Sequence, residues 1–188
     1  MDDLSDAIQE SVERAKESKL NSFIALAVAI SATFMAVCNI KDGNIVQAMS
    51  QAQAHSVDAW AYYQAKSTKQ LVTENTLLLV SSNKFVNDEQ KKKLENKISQ
   101  YEKDKADIKS KALGFEKEYD DLNVFDDQFD MTDAFISIAI ALFGITALTQ
   151  KKWLFYFACL LSSSGFFFGV TAFMKIPVHM GWISRLLG

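Results

Sequence analysis

The distribution of charge along the chain constrains its fold more than any other feature. Residues 22–40 contain no charged side chain and residues 132–174 contain only three, whereas residues 41–131 carry 13 of the 20 lysines and arginines. Segments that differ so sharply do not share one hydrophobic core, and about 20 apolar residues suffice for a helix to cross a bilayer. The pattern therefore predicts a membrane protein with a large water-exposed insert.

Three transmembrane helices are predicted, over residues 22–40, 132–149 and 153–174. An amphipathic helix is predicted over residues 1–21, and a short tail helix in the membrane interface over residues 176–188. One proline and seven glycines in the whole chain favour helix throughout. The predicted fold class is an all-α membrane protein with a long antiparallel helical (coiled-coil) hairpin between its first and second transmembrane helices.

Residues 41–131 are predicted to form this hairpin. The loop-like sequence that starts at Ser81 lies midway between the first two membrane helices and predicts a turn near residues 81–88. The second arm carries an apolar 4-3 repeat, which is typical of a coiled-coil seam. The positions of this repeat are Leu94, Ile98, Tyr101, Lys105, Ile108, Ala112, Phe115, Tyr119 and Leu122.

The first arm has a less regular repeat, because Lys66, Gln70 and Thr73 interrupt the series that begins at Ile45. A turn at residue 85 makes the numbers of facing residues sum to about 170, so that Lys66 faces Asp104. Two roles are open for the polar and aromatic cluster around Lys66: a seam that fixes the register of the hairpin, or a docking surface for a partner protein or a second copy. The candidate residues of this cluster are Asp58, Trp60, Tyr63, Gln64, Lys66, Lys69, Glu102 and Asp104.

Small residues mark two candidate helix-packing faces in the membrane. Such residues let helix backbones approach closely where lipid offers no hydrophobic drive for association. The alanines of the first span are therefore expected to meet another helix, and the glycines of the third span to pack within the chain or between chains. The candidate residues are Ala25, Ala29, Ala32, Ala36, Gly165 and Gly169.

The sequence contains no recognised catalytic, nucleotide-binding or metal-binding motif. His55 and His179 lie on different segments, and the membrane helices have no ionisable group in their interior of the kind that coupled transporters need. A net charge of −3 gives no attraction to nucleic acid. We therefore expect no enzymatic activity, no cofactor, no metal site and no identifiable small-molecule substrate.

Acidic residues accumulate just before the second membrane helix. Hard cations such as Ca²⁺ and Mg²⁺ choose oxygen ligands, but the spacing matches no known calcium loop. A solvated acidic neck is the favoured interpretation, and a loosely held cation is the alternative. The residues are Glu116, Glu118, Asp120, Asp121, Asp126, Asp127, Asp130 and Asp133.

The orientation in the membrane follows from lysine and arginine in short loops. Lys151 and Lys152 occupy the turn between the second and third spans, and Arg14, Lys16 and Lys19 precede the first. With three spans these two regions lie on the same side. The pattern predicts a cytoplasmic amino terminus, with the hairpin and carboxyl terminus on the outer, periplasmic side.

The segment Trp60-Ala61-Tyr62-Tyr63-Gln64-Ala65-Lys66-Ser67-Thr68-Lys69 resembles the signature of DUF4337, a family of bacterial membrane proteins. The alanine-rich first span and residues 138–142 and 147–154 are similar to that family as well. The family often has arginines at the turn where this chain has Lys151 and Lys152. The resemblance implies a bacterial inner-membrane protein of the same layout, and it implies no activity.

The leading hypothesis from the sequence is a non-enzymatic membrane scaffold or assembly component that self-associates and presents the hairpin outside the bilayer. Its expected partners are the lipid bilayer and either further copies of the chain or other membrane proteins. An oligomeric channel or channel regulator is one alternative, motivated by serines in the third span. An accessory subunit of a larger membrane complex is another.

Overall fold

The computed structural model describes residues 2–82 and 88–178, with side chains from residue 19 onward. These residues form three α-helices and no strand: α1 (Asp2–Ser81), α2 (Asp88–Thr149) and α3 (Lys152–Phe173). The first two helices pack against each other, and each of the three is long and apolar enough to cross a membrane. The prediction of an all-α fold with three such helices is confirmed.

Both long helices continue through boundaries that the sequence pattern predicts between separate elements. α1 includes the predicted amino-terminal helix, the first membrane helix and the first hairpin arm, and α2 includes the second arm and the second membrane helix. No proline interrupts either helix, and Gly43, the single glycine of α1, has open space around it. A change from apolar to charged sequence alters the surroundings of a helix but does not by itself end it.

The ends of the hairpin arms agree with the predicted turn near residues 81–88. α1 ends at Ser81, where the Ser82 hydroxyl donates to the carbonyl of Leu79 at 2.8 Å. α2 begins at Asp88, and two acids in its first turn, Asp88 and Glu89, complement the positive end of the helix dipole. The turn residues 83–87 themselves lie outside the described part of the chain.

A tight turn joins α2 to α3 at the predicted place. Gln150 adopts a left-handed backbone conformation with a φ of 54°, which directs the chain back after Thr149. The Gln150 side chain holds the turn, donating to the carbonyl of Ala147 at 2.6 Å and to the side-chain oxygen of Asn21 at 2.9 Å. Two helices joined by so short a turn pack antiparallel.

α3 ends in a Schellman-type cap. Lys175 is left-handed with a φ of 55°, its N–H donates to the carbonyl of Ala172, and the Ile176 N–H donates to the carbonyl of Thr171. Pro177 follows and cannot continue the helix. Residues 176–178 are not helical, and the rest of the tail helix predicted over residues 176–188 lies outside the described residues.

The chain divides into two units. The three-helix unit comprises residues 1–46 and 123–188, and the two-helix unit comprises residues 47–122. Within the three-helix unit, a core cluster of Ile24, Ala139, Phe143 and Ala158 joins all three helices. Within the two-helix unit, the lower half of the hairpin arms meets through Met49, Ala52, Ile108 and Ala112, each at most 8% exposed.

Candidate functional site

The seam of the two-helix unit is the candidate functional site. All nine predicted seam positions of α2 are buried or half-buried, with Ile108 and Ala112 the least exposed. On α1, Lys66, Gln70 and Thr73 also point into the seam, although the sequence pattern treats them as interruptions. The 4-3 repeat of α1 is therefore continuous in space, polar from Lys66 to Thr73 and apolar again at the half-buried Leu77 and Val80.

Lys66 and Asp104 form the central polar contact of the seam, as the predicted register requires. The Lys66 Nζ donates to Asp104 Oδ2 at 2.6 Å, and the Gln100 amide donates to Asp104 Oδ1 at 2.7 Å. These two hydrogen bonds hold the pKa of Asp104 below its ordinary value, and the bond to Asp104 raises the pKa of Lys66. The Lys66 ammonium also lies 5.4 Å from the ring centres of both Tyr62 and Tyr101.

The other candidates of this cluster have different surroundings. Tyr63 is half-buried, and the Lys105 ammonium lies 5.7 Å from its ring centre. Asp58, Gln64, Lys69 and Glu102 are exposed, and among the described residues Lys69 and Glu102 form no ion pair although the register predicts their proximity. The predicted cluster thus separates into an inward set around Lys66 and an outward set on the surface.

Trp60 makes a contact that the register does not predict. The register places its backbone near residues 109–112, and its indole N–H donates to Glu116 Oε1 at 2.7 Å, with the Ser56 hydroxyl 3.4 Å from the same oxygen. A long indole side chain reaches about a turn along its partner helix, so this contact is compatible with the predicted register. The contact borders a groove of about 300 Å³ lined by Gln53, Ser56, Val57, Trp60, Glu116, Tyr119 and Asp120.

Part of the predicted acidic neck converges on a residue that the sequence pattern does not single out. In the three-helix unit the Asp126 carboxyl group lies close to those of Asp42 and Asp130. Burial and the charges of Asp42 and Asp130 raise the pKa of Asp126 to about 6, and burial also raises the pKa of Asp42 and of Asp130. Spacing would have found Asp42, since it lies three residues before the buried Ile45.

Asp127 and Asp133 lie close enough to add their charges to this group, whereas two other acids of the neck have partners elsewhere. Asp121 is paired with Lys117, and Glu116 belongs to the Trp60 contact. In the described residues, no group of three or more His, Cys, Asp or Glu side chains is arranged to hold a metal ion. The acids Asp42, Asp126 and Asp130 instead form a cluster of like charges between α1 and α2, in which the pKa of each is raised.

This cluster predicts a pH dependence of stability. The folded-state pKa of Asp126, about 6, exceeds the unfolded value of about 4, so the folded state binds more protons between these pH values and stability falls as pH rises through them. Asp126→Asn removes this ionisation and should raise the melting temperature at pH 7.5 by roughly 3 °C. Thermal unfolding in detergent at pH 4.5 and pH 7.5 measures the effect.

Asp107→Asn is the matched control, because Asp107 is exposed on the same helix within the two-helix unit. It should leave the difference between the two pH values as it is in the wild-type protein. An equally large pH-dependent loss in the Asp126→Asn variant would show that the ionisation of Asp126 does not cause the pH dependence.

The glycine pair of α3 packs inside the three-helix unit. Gly165 faces Ile136 and Phe135 of α2, and Gly169 faces Phe34 and Cys38 of α1. Both glycines are buried, as are the hydroxyl groups of Ser31 and Ser162, which hydrogen-bond to each other at 2.9 Å. Close helix approach through Gly165 and Gly169 is therefore used within the chain.

The alanine face of the first span behaves differently. Ala25, Ala29 and Ala36 are exposed and Ala32 is half-buried, so the expectation that this face meets another helix is not met within the described chain. α1 turns Ile24, Ser31 and Cys38 inward instead, because these larger side chains fill the space between α2 and α3.

One further polar contact joins α2 to the carboxyl-terminal end of α3. The fully buried Gln128 amide donates to the Thr171 hydroxyl at 2.9 Å and to the Ile176 carbonyl at 3.3 Å, which ties α2 to the cap of α3. Sequence reasoning missed this contact. A lone glutamine in the mixed sequence before the second span gives no signal that distinguishes it from a solvated residue.

The fold and its seam define an all-helical protein with three helices long and apolar enough to span a membrane. The chain belongs to the DUF4337 family, a domain of unknown function, whose model matches residues 20–175. The match includes the Trp60–Lys69 segment and extends over parts of all three helices. No match was found among curated proteins or among solved structures.

Proposed function

We propose that this protein is a non-enzymatic membrane scaffold or assembly component, which self-associates and presents its hairpin outside the bilayer. The observation that carries the proposal is the large apolar surface of the three candidate spans that no other part of the described chain covers. Only 17–28% of the most apolar window of each candidate span is buried, and Phe23, Leu26 and Tyr156 are each more than half exposed. Apolar surface on this scale is covered by lipid or by other helices.

The polar contacts of the two-helix unit support a structural role for the hairpin. Lys66, Asp104 and Gln100 satisfy one another, and Trp60 and Ser56 satisfy Glu116. Paired groups of this kind fix the register of two helices. Their partners are supplied within the seam, which suits a rod that holds its shape rather than a reactive centre.

The proposed location is the bacterial inner membrane, with the amino terminus in the cytoplasm and the hairpin and carboxyl terminus outside. Exposed Lys151 and Lys152 in the α2–α3 turn, with Lys19 at the start of the first span, support this orientation. The exposed alanines Ala25, Ala29 and Ala36 support contact between copies in the membrane.

Native purification in mild detergent, followed by mass measurement, tests the proposal. The expected result is a defined dimer or higher oligomer of the chain with no stoichiometric second protein. A monomeric protein contradicts self-association, and an unrelated protein in constant ratio indicates an accessory subunit instead. The serines of the third span, which motivate the channel alternative, have partners within the chain: Ser162 bonds to Ser31, and Ser163 and Ser164 donate to carbonyls of their own helix.

A further inference from the structure

α1 has a second ordered face in the two-helix unit, opposite its seam. Six residues recur there at 4-3 spacing, and every one of them is exposed: Ala61, Ala65, Thr68, Val72, Asn75 and Leu79. We call this set the α1 outer face. Val72 and Leu79 are 59% and 73% exposed, and the adjacent Leu71 and Leu78 are 57% and 69% exposed. Apolar side chains so exposed and so close together mark an interaction surface.

The α1 outer face differs from the exposed surface of α2 in its content of charged residues. The α1 outer face ends before the exposed Asp58, which is the next position of the repeat, and contains no charged residue between Ala61 and Leu79. The exposed positions of α2 between residues 89 and 121 are largely lysine, glutamate and aspartate. A two-fold interface between parallel helices sets each residue against its own copy, so a charged position repels itself and an uncharged one does not. Of the two arms, only α1 offers a face that can meet itself.

The polar groups on the α1 outer face also tolerate burial. The Thr68 hydroxyl donates to the Gln64 carbonyl at 3.1 Å, and the neighbouring Thr76 hydroxyl donates to the Val72 carbonyl at 2.8 Å. These hydroxyls therefore need no further partner when water is excluded. Asn75 is left as a polar residue at a repeat position, where an amide facing its own copy fixes the register of two helices.

We infer that the α1 outer face is the surface through which two copies of this chain pair side by side, with their α1 helices parallel. This inference rests on the proposed function, because copies anchored in one bilayer in the same orientation have α1 helices that run in the same direction. The face is about 27 Å long and about 10 Å wide, or roughly 300 Å² of plan area per copy. A stable interface in solution covers about 800 Å² per partner, so pairing depends on the high local concentration that the membrane imposes.

Two single charge substitutions, one on the α1 outer face and one on a control surface, test the inference in the full chain. Ala65→Glu places two carboxylates against each other at the centre of the face and should raise the dissociation constant of the dimer at least about tenfold. Ala106→Glu is the matched control, because Ala106 is an exposed alanine on the charged side of the hairpin. Energy transfer between labelled copies in liposomes of fixed lipid-to-protein ratio reports the dimer fraction, and circular dichroism checks that each variant keeps its helix content.

Cysteine cross-linking gives a second measurement that needs no change of charge. In a Cys159→Ala parent, where the remaining Cys38 is 1% exposed, Val72→Cys should form a disulfide-linked dimer under mild oxidation. Lys103→Cys, on the exposed surface of α2, should not. Antiparallel pairing would move residue 72 away from its own copy, so a failure of Val72→Cys to cross-link overturns the inference.

The outcomes separate this inference from the proposed function. A wild-type dimer that Ala65→Glu dissociates and Ala106→Glu does not supports both. A wild-type dimer that survives Ala65→Glu overturns the α1 outer face and leaves self-association standing. A wild-type monomer overturns the proposed function and the inference with it.

Discussion

Replacing Gly165 by alanine is expected to lower the melting temperature of the full chain by roughly 5 °C or more. A Cβ atom at residue 165 would lie 2.6 Å from Ile136 Cγ1 and 3.2 Å from both the Phe135 Cβ and the Thr132 carbonyl oxygen. Ile136 is fully buried, and the other two atoms belong to the body of α2, so none of the three can move alone. Overpacking of this kind costs about 1–3 kcal/mol.

Two other glycines provide graded controls for this prediction. Gly144→Ala, in the second span, meets nothing within 4 Å and should leave the melting temperature unchanged or raise it, since alanine favours helix over glycine by about 1 kcal/mol. Gly169→Ala should be intermediate, because its nearest neighbours are the outer ring carbons of Phe34, which can tilt. Thermal unfolding in one detergent measures all three, and a Gly165→Ala protein as stable as Gly144→Ala would contradict the packing of α3 against α2.

The sequence predicted the hairpin well because two periodicities act together there. A 4-3 repeat assigns each residue of the second arm to the seam or to water, and all nine assigned positions from Leu94 to Leu122 are buried or half-buried. In an antiparallel hairpin, the numbers of two facing residues add up to a constant, which the position of the turn sets. That sum was enough to pair Lys66 with Asp104.

The same reasoning did not identify the face of the predicted first span that is buried within the chain. In a charged arm, the apolar stripe shows which face is buried. In an apolar segment every face is apolar, so hydrophobic periodicity no longer distinguishes the buried face from the exposed one. Small residues then indicate close packing without saying against what. The structure buries Ile24, Ser31 and Cys38 and leaves Ala25, Ala29 and Ala36 uncovered.

Side-chain reach accounts for two contacts that the sequence did not predict. Trp60 bonds Glu116 a turn beyond the residues that face its backbone, and Asp42 reaches Asp126 across the base of the arms. Counting residue numbers locates backbone positions, and both contacts depend on which rotamer a long or polar side chain adopts. Residue spacing can therefore assign Asp42 and Trp60 to a face of α1, but it does not identify Asp126 and Glu116 as the residues they approach.

Reversing the charge at Lys66 is expected to loosen the distal half of the hairpin. Lys66→Glu removes a hydrogen bond of 2.6 Å and puts a carboxylate beside Asp104, in a seam where the two side chains are only 16% and 27% exposed. We expect amide hydrogen exchange in residues 100–108 of α2 to quicken on the order of tenfold, because each opening of the arms is favoured by repulsion. Lys69→Glu, three residues away on the exposed surface, should change exchange little.

The double reversal Lys66→Glu with Asp104→Lys decides whether the effect belongs to this pair. Opposite charges then face each other again, so exchange should return most of the way to the wild-type rate, although Gln100 must donate to a different partner. Asp104→Lys alone should loosen the hairpin as Lys66→Glu does, since two ammonium groups then meet. If the double variant is no slower to exchange than the product of the single effects predicts, the register that aligns Lys66 with Asp104 is wrong, and with it the assignment of this cluster as the contact that fixes the hairpin.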